Sequence, residues 1–109
     1  MATAYKVLGQ LAAAATTSTT LYTVPSATET IVSSLVIANR AATSATYRIA
    51  VRPDGASLSN EHYVAYDVTI AANDSTALTL GLTINATDVI TVYASNANLS
   101  FNAFGSEIS

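Results

Sequence analysis

The sequence predicts an all-β fold: a single antiparallel β-sandwich, jelly-roll-like, of about eight strands with an extended N-terminal arm. Three observations lead there. Turn-forming clusters such as Val24-Pro25-Ser26-Ala27, Pro53-Asp54-Gly55, Ala71-Ala72-Asn73-Asp74 and Asn85-Ala86-Thr87-Asp88 recur along the chain. The stretches between them alternate apolar and polar residues with a period of two. Only residues 11–15, with four consecutive alanines, favour helix. That run falls short of the ~12–15 residues an isolated helix needs.

Taken in order, residues 5–8 read as a first short strand within an arm covering 1–18, which would cross its own domain or reach a neighbour. The sandwich proper is expected over 19–109. Residues 19–24 form a strand that stops at Pro25. Residues 29–39 are long and rich in β-branched side chains, with Ile31, Leu35 and Ile37 in phase. Residues 45–52 give the clearest alternation: Tyr47, Ile49 and Val51 face inward, Thr46, Arg48 and Arg52 outward. Pro53 then removes a ladder donor and Gly55 permits positive φ. In residues 62–70, Val64, Tyr66, Val68 and Ile70 share one face, assigned inward, and Tyr63 lies on the other. Leu78, Leu80 and Leu82 alternate with Ala77, Thr79 and Gly81 in the next strand. Residues 89–94 are apolar on both faces except at Thr91, as in a central strand. The final strand, 99–106, aligns Leu99, Phe101 and Ala103.

Composition excludes several classes of function. The 109 residues have room for one domain. Ala, Thr and Ser supply 21, 16 and 12 residues, only 10% are charged, and four basic against seven acidic residues give a net charge of −3. With Lys6 as the single lysine and no basic cluster, an electrostatic nucleic-acid interface is not expected. No segment approaches the ~20 apolar residues of a membrane span, and the N-terminus lacks the pattern of a secretory signal. The absence of cysteine rules out disulfides, thiolate metal sites and thiol nucleophiles.

Chemistry is correspondingly sparse. His62 is the sole candidate general base, with Asp54 or Asp67 as conceivable partners, but there is no Gly-x-Ser-x-Gly elbow to present a nucleophile. Asp54, Asp67, Asp74 and Asp88 are scattered. Asn73-Asp74 and Asn85-x-x-Asp88 could offer oxygens to Ca²⁺ only if their loops met, and Asp in turns needs no ion to explain it. Neither an enzyme, nor a bound cofactor, nor a metal is therefore expected. What stands out is how few outward positions carry charge, since soluble β proteins usually guard their edges with lysine. Thr-, Ser- and Ala-rich outer faces suit a chain packed against other subunits, where charges would be costly to desolvate. On exposure and interface chemistry, Tyr5, Lys6, Tyr22, Arg48, Arg52 and Tyr63, with loop 53–60, are the candidate subunit contacts.

Four stretches extend this reading. Leu21-Tyr22-Thr23-Val24-Pro25, Tyr47-Arg48-Ile49-Ala50-Val51-Arg52-Pro53-Asp54-Gly55, Ala72-Asn73-Asp74-Ser75 and Phe104-Gly105-Ser106-Glu107-Ile108 resemble small virion structural proteins of tailed bacteriophages, including phages of cyanobacteria and marine bacteria. The resemblance spans nearly the whole chain and rests on similar wording rather than on a catalytic motif. It implies a non-enzymatic β-sandwich subunit of the particle, made in the host cytoplasm and carried in the virion. Its expected partners are major capsid or tail proteins and further copies of itself, a trimer or another cyclic oligomer being compatible with such assembly. Capsid decoration (a cement protein) is the leading expectation. A tail, baseplate or fibre-associated component, with a receptor- or carbohydrate-binding role, is the alternative.

Overall fold

The computed structural model describes residues 2–79 and 81–109. Their backbone forms β1 (Thr3–Ala12), β2 (Thr19–Thr23), β3 (Glu29–Asn39), β4 (Ala45–Arg52), β5 (Tyr63–Ile70), β6 (Ser75–Leu78), β7 (Leu82–Ile84), β8 (Val89–Ala94) and β9 (Leu99–Ile108). Two short 3₁₀ turns, Pro53–Gly55 and Asn60–His62, lie between β4 and β5. One sheet has the order β1-β9-β3-β6, with β7 also pairing with β3; the other has β2-β8-β4-β5. All strand pairings are antiparallel. Successive strands from β1 to β4 alternate between the sheets, and β8 and β9 slot between earlier strands. This is the strand order of a jelly roll.

The expected strand over residues 77–82 is two strands in the structure. Gly81, at φ 62°, breaks the ladder between β6 and β7, and both pieces pair with β3. Leu80 lies outside the described residues. The segment expected as an arm over 1–18 is extended, but over Thr3–Ala12 it is an edge strand along β9. Beyond it Ala13 is 2% exposed in the core, and the Thr16 N–H donates to the Ala94 carbonyl at 2.8 Å. The physical reason is backbone satisfaction: a solitary extended arm leaves its N–H and C=O groups to water, whereas β9 offers a matching ladder. The ends of the chain meet as well, through reciprocal bonds between Ala2 and Ser109 at 2.7 and 2.8 Å.

The core lies between the sheets. Val32, Leu35 and Ile37 from β3 meet Leu99, Phe101 and Ala103 from β9, with Ile49, Ile90, Val92 and Tyr47 opposite. Residues 89–94 form the expected central strand, β8, flanked by β2 and β4. Buried Asn39 is satisfied on both sides of its amide: Nδ2 donates to the carbonyls of Thr43 (2.9 Å) and Ala71 (3.2 Å), and Oδ1 accepts the Ala41 N–H (3.0 Å). It thereby ties the β3–β4 loop to the end of β5, as a buried amide must.

Bulges decide which residues reach the surface. In β3 the register slips between Val32 and Ser34, leaving Ser33 extra. The slip reverses the phase, so Val32 is buried and Ile31, expected inward with Leu35 and Ile37, is 38% exposed. In β5, Tyr47 faces Val68 and Ile49 faces Ala65, so Tyr66 and Asp67 together oppose Arg48. Asp67 takes a positive φ of 51° there. A second slip makes Val64 extra and sets Tyr63 opposite Ala50. The assignment of Val64 and Tyr66 to an inward face is thus corrected: they are 47% and 55% exposed. Ile70, beyond the bulges, is buried as expected.

Candidate functional site

The outer face of the four-stranded sheet collects tyrosine and arginine. Arg48 points outward between the buried Tyr47 and Ile49, with Tyr93 directly across on β8. Its guanidinium lies 4.2 Å from the centre of the Tyr66 ring and 4.3 Å from that of Tyr93. Asp67 grips the same group, Nε at 2.6 Å from Oδ1 and Nη2 at 3.2 Å from Oδ2. That hydrogen bond, the chief influence on the arginine, raises its pKa further. The bulge in β5 is what makes the arrangement possible, because it sets both Tyr66 and Asp67 against one arginine. Tyr63 completes the patch, its ring edge-to-face with Tyr66 at 4.8 Å between centres.

Of the expected contacts, Arg48, Arg52 and Tyr63 are therefore brought to one face. Arg52 turns to its own loop: Nε donates to Thr91 Oγ1 (3.0 Å) and Nη1 to the Ala56 carbonyl (3.1 Å), bracing the start of loop 53–60. Tyr66 and Tyr93 belong to the same patch but were not singled out by the sequence. Alternation alone put Tyr66 inside and read Tyr93 as part of a buried strand.

Tyr5 and Lys6 lie elsewhere, on β1 at the edge of the five-stranded sheet. Tyr5 is 86% exposed. It shares the outer face with Val7, Ile31, Phe104 and Ile108, which the β1-β9-β3 registers set side by side. The charged Glu29 lies at one end of this apolar stripe, and the Gln10–Asn102 amide pair (2.8 Å) at the other. Lys6 points the other way and bonds Glu107 Oε1 at 3.0 Å.

Tyr22 is corrected outright, being 7% exposed and no surface contact. It is a core residue with a polar tip: its hydroxyl donates to Glu107 Oε2 at 2.5 Å and lies 2.8 Å from Thr30 Oγ1. Lys6, Glu107, Tyr22 and Thr30 thus tie β1, β9, β2 and β3 together across the two sheets. Burial, followed by the bond to Glu107, pushes the Tyr22 phenol up to about 12. The bonds from Tyr22 and then Lys6 hold the Glu107 carboxyl below the usual carboxylate range. Each shift fixes a direction of pH dependence. The Glu107 contribution is whole above the ordinary carboxylate pKa and fades as pH falls through its lowered value. The Tyr22 contribution is whole below pH 10 and disappears as pH rises towards about 12. A shift of this size corresponds to about 2–3 kcal/mol. Urea unfolding across that alkaline window should show a steep loss in the native chain and a shallower one in Tyr22→Phe, with buried Tyr47 supplying the remainder. Equal slopes in the two proteins would contradict this account.

Most charged side chains serve the chain's own architecture. Asp88 accepts the N–H of Asp54 on one oxygen and that of Asn85 on the other, both at 2.8 Å, and Thr87 donates to Asp54. Asp74 accepts the Ser75 N–H, and Arg40 donates to Ser100 Oγ and the Ala97 carbonyl. His62 closes its own turn, Nδ1 accepting the Ser59 N–H at 3.1 Å. Among the described residues, no group of three His, Cys, Asp or Glu side chains is arranged to hold a metal. Among the described residues, the surface carries an apolar stripe and a tyrosine–arginine patch, on opposite sheets. The sequence matches no protein-family model and no curated protein.

Proposed function

We propose that this chain is a non-enzymatic structural subunit of a bacteriophage particle, an accessory protein that decorates or cements the capsid. The observation that carries the proposal is the apolar stripe on the outer face of the five-stranded sheet, where Tyr5, Val7 and Ile31 stand 86%, 46% and 38% exposed. Water is a poor neighbour for such a stripe, and a second polypeptide is a good one. The jelly-roll order and the sequence resemblance point the same way, although a fold alone hosts many functions. The mechanism is mass action: a subunit that binds only the assembled lattice adds its binding free energy to the lattice. A homo-oligomer, with the same stripe repeated around a symmetry axis, fits this mode of assembly. The tyrosine–arginine patch favours the second reading, a tail, baseplate or fibre-associated component.

Purified particles should contain the chain at a fixed, high copy number, and cross-links should join its first strand to another subunit. Replacing Tyr5 and Val7 together by lysine should cut occupancy at least tenfold, since two apolar anchors of ~1.5 kcal/mol or more are lost. The variant's melting point should hold, because both side chains are exposed. Particles without the chain, or undiminished incorporation of the double variant, would overturn the proposal. Imaging a labelled chain on the particle separates the head location from the tail location.

A further inference from the structure

We propose that the shallow depression lined by Asn60, Tyr63 and Tyr66 is a binding site for one neutral pyranose ring of a glycan. The depression measures about 270 Å³, slightly below the ~300 Å³ at which pockets for drug-sized ligands begin. It admits a single sugar ring and little more. Its floor is aromatic, formed by two tyrosine rings set at 85° to one another. Its polar groups are the Asn60 amide and the two phenol hydroxyls, none of which bonds to another described residue.

The chemistry of this lining selects among ligands. Arg48, stacked on Tyr66, has its charge paired with Asp67, so the site offers no unpaired cation to a phosphate, sulfate or carboxylate. The adjacent Glu61 further disfavours anions. A purely apolar partner would cover the amide and both hydroxyls without pairing them, which is costly. A pyranose meets both demands at once. Its C–H face lies against the electron-rich face of a tyrosine, while its hydroxyls pair with the amide and phenols. The larger depression, of about 310 Å³ beside Gln10 and Asn102, lacks this character, because no exposed aromatic ring lines it.

The platform is also rigid before any ligand arrives. The Arg48 stack and the edge-to-face contact with Tyr63 hold Tyr66, while the Asn60–His62 turn, closed by Ser59 and His62, sets Asn60 and leads into Tyr63. Little side-chain freedom is lost on binding, so a ring of this size can be held with a dissociation constant of about 1 mM. The site stands apart from the apolar stripe, on the other sheet, and does not depend on where the chain resides.

The test uses the isolated chain. Glucose, galactose, mannose and N-acetylglucosamine are titrated separately while backbone amide resonances are followed. At least one sugar should move Asn60, Tyr63 and Tyr66 saturably, and Tyr66→Ala should weaken it at least tenfold. Asn60→Ala, away from the core, should weaken it too with the melting point unchanged, which guards against a folding artefact in the first variant. No saturable shift with any of the four at about 50 mM would overturn the proposal. So would shifts that survive both substitutions, or binding of a proline-rich peptide at these residues without any sugar. Because no particle is involved, failure here leaves the virion proposal standing, and the reverse also holds.

Discussion

Phe101→Ala is expected to remove about 3–5 kcal/mol of stability, against a total of ~5–15 kcal/mol for a domain of this kind. Phe101 is fully buried near the start of β9, the strand held between β1 and β3. Its register partners are Leu11 on one side and Ile37 on the other. Truncation leaves a cavity that neither neighbour can fill, because β1 and β3 are both laddered to β9 around Phe101 and the described core holds no flexible methionine to move in. At ~4 °C per kcal/mol, the melting point should fall by roughly 12–20 °C. Equilibrium denaturation should show the same m-value as the native chain, since the surface exposed on unfolding hardly changes. A loss below about 1 kcal/mol would mean that β9 is not the centre of the core.

Gly105→Ala should be nearly as damaging, for a different reason. Gly105 stands opposite Val32, at the edge of the β3 bulge. A methyl group there would collide with the Ile31 carbonyl oxygen and lie 3.0 Å from its carbon and 3.1 Å from the Val32 Cα. Every obstacle is backbone, so relief requires β9 and β3 to separate. We expect a loss of about 3 kcal/mol, with amide protection falling first over residues 104–107. Gly81→Ala is the control. Its positive φ makes alanine uncomfortable, but nothing lies within 4 Å, so it should cost only ~1–2 kcal/mol. If Gly105→Ala melted no lower than Gly81→Ala, the close approach would be refuted.

These two positions also show where sequence reasoning succeeds and where it stops. Alternation gave the inward set of β4 (Tyr47 and Ile49) and that of β9 (Leu99, Phe101 and Ala103), because those strands carry their inward residues at an unbroken spacing of two. It failed at Ile31, Val64 and Tyr66, each near a bulge, because one extra residue inverts everything beyond it. Ser33 and Val64 carry no local mark of a bulge. Asp67 does, faintly, since aspartate tolerates the left-handed conformation and is otherwise poor in strands. The patch was therefore half visible: Arg48, Arg52 and Tyr63 could be placed outside, whereas Tyr66 and Tyr93 required the register. Tyr22 misled in the opposite sense. Aromatic, beside a proline turn and tipped with a hydroxyl, it resembles a surface anchor, and only its partners Thr30 and Glu107 reveal it as a core residue. Gly81 could be read as a breaker, but leucines at regular spacing on either side concealed the break.

The pairing of β1 with β9 has a kinetic consequence. Thr3 meets Ile108 and Ala2 meets Ser109, so this ladder joins positions about as remote along the chain as any can be. Sealing the sandwich means closing a loop of about a hundred residues, and the entropy of that closure must be met before its hydrogen bonds contribute. The stretch carrying Tyr5 and Val7 is then the last to settle and the first to let go. The exposed apolar stripe is completed only once everything beneath it has set.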